Sequence, residues 1–138
     1  MIFIDSNIPM YLVGAAHPNK VEAQRLLEKI IQTKEHLVTD AEVLQEVLHR
    51  YSTSAHRDAI QPAFDSLLGI VDEIFPVELR DVQRAKEILL STDGISARDA
   101  LHLATMERHG VKRILSFDGG FLGIPGVMRL PSPSQSSV

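Results

Sequence analysis

The stretch Met1-Ile2-Phe3-Ile4, which runs directly into Asp5-Ser6-Asn7, decides the fold class of this chain. A short run of Ile and Phe bounded by turn-forming residues is typical of a β-strand that is buried on both faces. A second such run, Ile114-Leu115-Ser116-Phe117, leads into Asp118-Gly119 near the other end of the chain. Such strands belong to parallel sheets covered by helices, and ligands of these sheets bind at the carboxyl ends of the strands. We therefore expect Asp5 and Asp118 to lie close together at one edge of the sheet.

A pair of neighbouring carboxylates points to a metal site. The two charges repel each other unless a proton or a cation lies between them. The chain has no cysteine, which excludes disulfides and thiolate zinc sites. Oxygen ligands favour a hard cation, so the sequence predicts a site for Mg²⁺ or Mn²⁺.

Length and composition describe an ordinary globular domain. The chain has 138 residues, of which 44% are hydrophobic and 23% charged. The net charge of −4 argues against a protein that coats nucleic acid, because such proteins are usually basic. No basic segment precedes the first apolar stretch and no apolar run reaches about 18 residues, so we expect a cytoplasmic protein without a membrane span. We predict one domain over residues 1–130 and a flexible Ser/Pro-rich tail over 131–138.

Strand and helix patterns alternate along the chain. The predicted strands cover residues 1–4, 36–38, 72–77, 113–116 and 127–130. The predicted helices cover residues 7–13, 20–33, 40–51, a segment ending near 69, 79–90 and 96–109. This alternation predicts an α/β fold, a three-layer α/β/α sandwich with a mostly parallel central sheet.

Two further acidic residues lie beside apolar helix faces. Asp99 falls within the apolar stripe of the helix that starts at Ser96, and Glu46 lies at the edge of the core face of helix 40–51. Each has a purely local alternative: Asp99 completes a capping box with Ser96, and Glu46 belongs to a solvated flank with Glu42.

The strand-end acids have local alternatives as well. Asp5 suits the cap of the next helix, and Asp118-Gly119 suits a turn. The joint pattern carries more weight than any single residue, because all four acids would fall at one edge of one sheet.

Three motifs carry a resemblance to a known family. The string Ser96-Ala97-Arg98-Asp99-Ala100-Leu101-His102-Leu103-Ala104, followed by the segment from His109 to Asp118, resembles the C-terminal half of PIN-domain ribonucleases. It is most similar to the VapC-type toxins of toxin–antitoxin pairs. Ile4-Asp5-Ser6-Asn7 resembles the first motif of the family, and the segment from Thr39 to Val47 resembles its second. The resemblance extends over nearly all of the chain before the tail.

The resemblance implies a Mg²⁺- or Mn²⁺-dependent endoribonuclease that hydrolyses RNA phosphodiesters. It implies that four acids are catalytic metal ligands: Asp5, Glu46, Asp99 and Asp118. Glu42 is the alternative second acid if the register differs by one turn. The small polar residues expected to support this cluster are Ser6, Asn7, Thr39 and Ser116.

The resemblance also implies partners, and one position departs from the family pattern. Such toxins form homodimers and bind a cognate antitoxin protein, and their substrate is RNA.

Arg98 is a candidate RNA contact because it adjoins Asp99. For His102 we expect helix packing or a hydrogen bond rather than metal binding. Related chains often carry a further acid just after the Phe of the last motif, where this chain has Leu122.

Two alternative functions stay open at this point. A phosphoaspartyl phosphatase or receiver domain also places an Asp after its first strand, but the phosphatase motif needs a second Asp where Asn7 stands. A PIN scaffold with weak catalysis that acts through protein partners is the other alternative. The presence of all four acids argues against it, and Leu122 keeps it open.

Overall fold

The computed structural model describes residues 1–53 and 55–131. Its strands are β1 (Ile2–Ile4), β2 (Leu37–Asp40), β3 (Glu73–Phe75), β4 (Arg113–Leu115) and β5 (Met128–Leu130). Its α-helices are α1 (Asn7–Val13), α2 (Pro18–Gln32), α3 (Ala41–Ser52), α4 (Ile60–Leu68), α5 (Leu79–Ser91) and α6 (Ala97–Arg108). Short 3₁₀ turns cover Arg57–Ala59 and Gly119–Phe121. Residues 132–138 of the predicted tail lie outside the described residues, so the tail stays a prediction.

The five strands form one sheet in the order β3-β2-β1-β4-β5, and every pairing is parallel. Helices flank this sheet, which confirms the predicted three-layer α/β fold. β3 lies at the edge and ends before Pro76, as a proline that cannot donate to a ladder requires.

The order of the strands creates a crevice between β1 and β4. The chain leaves β1 towards β2 on one side, and it returns to β4 on the other side only after α6. Ile4 is in register with Leu115, and the amide of Asp5 donates to the Leu115 carbonyl over 3.1 Å. Ligands of open parallel sheets bind at such a switch point, beyond the carboxyl ends of the strands.

The two central strands are held by a fully apolar core. The largest buried side chains include Phe3, Phe75, Phe121, Ile4, Ile114 and Leu115. Burial of such side chains stabilises the fold by roughly 1.5–3 kcal/mol each. The strand ends are therefore rigid supports for the residues that follow them.

β2 is longer than the sequence predicts and includes two polar residues. Thr39 and Asp40 are both buried, and the Asp40 carboxylate caps α3 by accepting the Val43 amide over 2.9 Å. Asp40 is thus both the last residue of β2 and the cap of α3.

None of the helices in the described ranges combines the length and the apolar character needed to cross a lipid bilayer.

Candidate metal centre

A pocket of about 580 Å³ opens beyond the carboxyl ends of β1 and β4. All four acids singled out from the sequence line it: Asp5, Glu46, Asp99 and Asp118. They come from the end of β1, from α3, from the first turn of α6 and from the end of β4. The fold thus brings together residues that are up to 113 positions apart in sequence, because it places their elements around one crevice.

Asp5 lies at the base of the pocket and is almost fully buried. One carboxylate oxygen, Oδ1, accepts the Ser6 amide over 2.7 Å, and the other, Oδ2, accepts the Ser116 hydroxyl over 2.6 Å. Burial raises the pKa of Asp5, although nearby His102 and these hydrogen bonds act in the opposite direction. The interpretation of Asp5 as the cap of α1 is wrong, because Ser6 holds the cap position and no side chain caps that helix; the Asp5 carboxylate ties the end of β1 to the end of β4 instead.

The small polar residues predicted to support the cluster hold the two strand ends together. Asn7 donates from Nδ2 to the Ser116 hydroxyl over 3.1 Å and to Asp5 over 3.4 Å. The Thr39 hydroxyl donates to the carbonyl of Ile4 over 2.9 Å, which secures the backbone just before Asp5. Their hydrogen bonds limit the freedom of the Asp5 carboxylate.

Asp99 and Asp118 form a carboxyl pair at the outer part of the pocket. Asp99 is partly buried and its amide donates to the Ser96 hydroxyl over 3.1 Å, which is half of the expected capping box. Burial, the charge of Asp5 and a hydrogen bond with Asp118 raise the pKa of Asp99 to about 7. Asp118 is exposed and also accepts the Gly120 amide over 2.8 Å, so its turn role is real as well. A raised carboxyl pKa is the expected result when several acids lie close together.

Glu46, rather than Glu42, lines the pocket. Glu46 is buried, so the solvated-flank interpretation of this residue is wrong: the face of α3 that carries it turns towards the crevice. Burial acts to raise the pKa of Glu46, but His102, the Ser6 hydroxyl and Arg98 outweigh it and lower the pKa. Arg98 lies between the two glutamates, 3.6 Å from Glu42 and 3.4 Å from Glu46. Its contact with RNA stays a prediction.

The hydrogen bond expected of His102 is present, and it belongs to a buried network beside Asp5 and Glu46 whose other members the sequence did not predict. The imidazole of His102 lies with Nδ1 2.9 Å from the Asp40 carboxylate, which also accepts the Thr105 hydroxyl over 2.8 Å. The other ring nitrogen, Nε2, lies 3.7 Å from Glu46 Oε1 and 4.0 Å from Asp5 Oδ1. Burial favours the neutral ring, but the three carboxylates outweigh it and raise the pKa of His102 to about 10.

One sequence signal could have pointed to this network. His102 is three residues after Asp99 on α6, so both side chains lie on the same face of the helix. Asp40, by contrast, had a sufficient local role as the cap of α3.

The side chains of the pocket fit a divalent cation. Asp5, Glu46 and His102 each bring one ligand atom within 4.8 Å of the others. Across the described residues, Glu46 Oε1 and His102 Nε2 are among the few buried side-chain atoms that lack a hydrogen-bond partner. Buried polar atoms without partners are rare in proteins, and a bound ion is one of the explanations for them. The carboxylate oxygens are the donors that hard cations prefer. Leu122 is exposed and does not line this pocket.

Comparison with known proteins assigns the chain to a family. Residues 2–127 match the PIN domain. The chain is 58% identical over 130 residues to ribonuclease VapC13 of Mycobacterium tuberculosis, an alignment that covers 94% of the chain and 99% of that relative. The chain belongs to the PIN-domain ribonucleases of the VapC family.

Solved structures of a toxin and of a toxin–antitoxin complex share the fold of this VapC-family chain. The crystal structure of VapC20 of M. tuberculosis, described as a sarcin-ricin loop cleaving toxin, superposes with a TM-score of 0.69 at 26% identity and covers 86% of this chain and 91% of that one. A toxin–antitoxin complex from Klebsiella pneumoniae superposes with a TM-score of 0.69 at 20% identity and covers 93% of this chain and 96% of that one. Membership of the VapC family overrules the phosphoaspartyl alternative.

Proposed function

We propose that this VapC-family protein is a Mg²⁺- or Mn²⁺-dependent endoribonuclease and the toxin of a toxin–antitoxin pair. One observation carries the proposal: four acids from four separate elements line a single pocket at the switch point of a parallel sheet. Their carboxylates provide the oxygen donors for a hard cation, and the pocket is open to a substrate.

The residues that would hold the cation are Asp5, Glu46, Asp99 and Asp118. When bound, such an ion polarises the phosphodiester and lowers the pKa of water, so that water can act as the nucleophile. Asp5 presents a carboxylate that hydrogen bonds hold in one orientation. Because its pKa is raised to about 7, Asp99 must release a proton before its carboxylate can bind a cation.

Two arginine side chains at or beside the pocket would contact the phosphates of the RNA backbone. Arg50 lines the pocket and its side chain is largely exposed, and Arg98 is about one-third exposed beside Glu46. An arginine can bind a phosphate through two parallel hydrogen bonds, which orients the scissile bond above the carboxylates. We propose hydrolysis to a 5′-phosphate and a 3′-hydroxyl, in the cytoplasm, where the substrate RNA is found.

The partners that we propose are a second copy of the chain and an antitoxin protein. Several large apolar side chains on the helices are exposed, among them Val21 and Ile31 on α2 and Leu48 on α3. Surfaces of this kind are candidates for protein contacts. The similar fold of a chain solved in a toxin–antitoxin complex supports an antitoxin partner.

The function is tested by RNA cleavage on denaturing gels with the purified protein. We expect cleavage by the wild type in Mg²⁺ or Mn²⁺ and none after chelation with EDTA. Asp5→Asn should lose at least about a hundredfold in rate, since a fixed ligand is lost. Asp65→Asn is the control, because Asp65 is an exposed acid on α4 that does not line the pocket. Cleavage that survives EDTA, or an Asp5→Asn variant as active as the control, would contradict the proposal.

A further inference from the structure

His102 presents a fully buried ring nitrogen to the pocket acids without making a hydrogen bond to them. Its Nε2 atom has no hydrogen-bond partner within the part of the chain that the structure describes. The two nearest carboxylate oxygens, on Glu46 and Asp5, are 3.7 and 4.0 Å away. Both distances exceed the range of an N–H···O hydrogen bond, which ends near about 3.2 Å.

The same distances suit two ligand atoms on one metal ion. Divalent ions bind nitrogen and oxygen at about 2.0–2.2 Å, so neighbouring ligand atoms on one ion lie about 3–4 Å apart. Glu46 Oε1 is itself a buried oxygen without a hydrogen-bond partner among the described residues. Two buried atoms without hydrogen-bond partners, His102 Nε2 and Glu46 Oε1, therefore lie near each other. With a carboxylate oxygen of Asp5 they fall within 4.8 Å of one another, close enough to bind one divalent ion.

The other ring nitrogen of His102, Nδ1, faces a carboxylate, as it does in histidines that bind metals. Nδ1 faces the buried Asp40 carboxylate at 2.9 Å, and that carboxylate accepts the Thr105 hydroxyl and the Val43 amide as well. Because Asp40 can only accept hydrogen bonds when ionised, it keeps a proton on Nδ1 and leaves Nε2 as the coordinating nitrogen. Metal-binding histidines almost always donate their second N–H to a carboxylate or carbonyl in this way.

We propose that His102 is a nitrogen ligand of the divalent ion that Asp5 and Glu46 hold, and that Asp40 is the positioning residue that orients its ring. His102 plays this part only if the pocket binds a metal ion, so the inference rests on the proposed function. The carboxylates that attract a proton to Nε2 attract a doubly charged ion to the same place, and the ion would displace that proton. The structure confirms the packing and the hydrogen bond expected of His102, and the proposed metal bond goes beyond that expectation.

A nitrogen ligand gives the site a preference among ions. Imidazole binds first-row transition ions better than it binds Mg²⁺, which favours oxygen ligands and retains its waters. The site should therefore bind Mn²⁺ more tightly than Mg²⁺. We expect His102→Gln to weaken Mn²⁺ binding about tenfold or more in calorimetric titrations, and to weaken Mg²⁺ binding less.

The direct test is pulsed electron paramagnetic resonance of the full chain loaded with Mn²⁺. A coordinated imidazole nitrogen gives a modulation of the Mn²⁺ echo, and isotopic labelling of histidine alone identifies its source. The matched control is His17→Gln, because His17 is an exposed histidine that lines the same pocket. Circular dichroism verifies that each variant is folded.

The outcomes separate this inference from the proposed function. A histidine nitrogen signal in the wild type that persists in His17→Gln and disappears in His102→Gln supports the inference. If His102→Gln does not fold, the signal that persists in His17→Gln supports it, since within the described residues His102 is the histidine that lies within ligand distance of Asp5 and Glu46. Bound Mn²⁺ without a histidine nitrogen signal overturns the inference but leaves the proposed function intact. A failure of the wild type to bind Mn²⁺ overturns both.

Discussion

The pocket changes the pKa of Asp99. Its pKa lies at about 7 in the folded protein, against 3.8 for an ordinary aspartate, because it is desolvated and lies beside Asp5 and Asp118. The folded state therefore retains a proton between pH 4 and 7 that the unfolded chain has already lost. The contribution of this proton to stability is fully present below about pH 4 and is lost as the pH rises to about 7.

Asp99→Asn should remove this pH dependence in the metal-free protein. The neutral amide carries no charge to bury, so we expect the variant to be more stable than the wild type above pH 7 by about 1–2 kcal/mol, a value reduced for solvent screening of this partly exposed group. The difference should vanish near pH 4. Thermal melts in EDTA between pH 4 and 8 measure it, with the exposed Asp93→Asn as control. A difference that does not depend on pH would contradict the pKa shift of Asp99.

Ser116 is the residue on which the orientation of Asp5 depends most. Its hydroxyl donates to Asp5 over 2.6 Å and accepts from Asn7 and from the amide of Asp118. Ser116→Ala leaves a buried carboxylate oxygen short of a donor, which should lower the free energy of unfolding by about 1–3 kcal/mol. Urea unfolding measures this loss. Ser91→Ala, an exposed serine on α5, should change it by less than about 0.5 kcal/mol, and equal losses in both variants would refute the assigned role of Ser116.

The residues of the pocket differ in how far the sequence could predict them. Asp5 and Asp118 follow apolar strands, and the strand pattern alone brings them to one edge. The link between His102 and Asp40 joins positions 62 residues apart on α6 and β2, and no local pattern encodes it. Asp40 satisfies a helix cap at the same time, so its second role was hidden by the first.

The elements follow the hydrophobic pattern closely where the pattern is strong. The predicted helices differ from the observed ones by one or two residues at their ends, because caps such as Ser96 and Asp40 mark where they begin. β2 was predicted too short, because Thr39 and Asp40 are polar and yet buried. Their polar groups are satisfied by partners on other elements, which a single segment of sequence does not reveal.

One buried ion pair holds α6 against α5. Asp81 is almost fully buried, accepts the Glu78 amide and binds the guanidinium of Arg108 at 2.7 and 2.9 Å. This bond orients the helix that carries Asp99 and His102. Because Asp81 both caps α5 and pairs with α6, its removal affects two elements.

Asp81→Ala should lower the free energy of unfolding by about 2 kcal/mol or more, because the partly exposed Arg108 loses its partner and α5 loses one half of its capping box. Arg84→Ala is the matched control, since Arg84 also joins α5 to α6 through Glu107 but at an exposed position. Exposed pairs contribute at most about 1 kcal/mol. Chemical denaturation of both variants tests the contrast, and a control as unstable as Asp81→Ala would argue against it.

At the scale of the whole molecule, folding brings the four pocket acids together at an electrostatic cost. In the metal-free protein, hydrogen bonds to Asp5, the raised pKa of Asp99 and the buried His102 offset part of their repulsion. A cation that binds only the folded state relieves their repulsion, so binding and folding are coupled.

Mg²⁺ or Mn²⁺ should therefore raise the melting temperature of the wild type. An ion at a hundred times its dissociation constant adds about 2.7 kcal/mol, which corresponds to a shift of several degrees for a domain of this size. Asp99→Asn should abolish the shift, while Asp93→Asn should retain it. Scanning fluorimetry at pH 7.5 measures both variants, and an equal shift in the two would remove Asp99 from the ligand set.

Anomalous diffraction from crystals soaked in Mn²⁺ tests most directly whether the pocket holds a metal ion. We expect a peak in the pocket beyond β1 and β4, within about 2.5 Å of a carboxylate oxygen of Asp5. A pocket without a peak at saturating Mn²⁺, or a peak only at other acids of the surface, would contradict the claim that this pocket gathers its carboxylates around a metal ion.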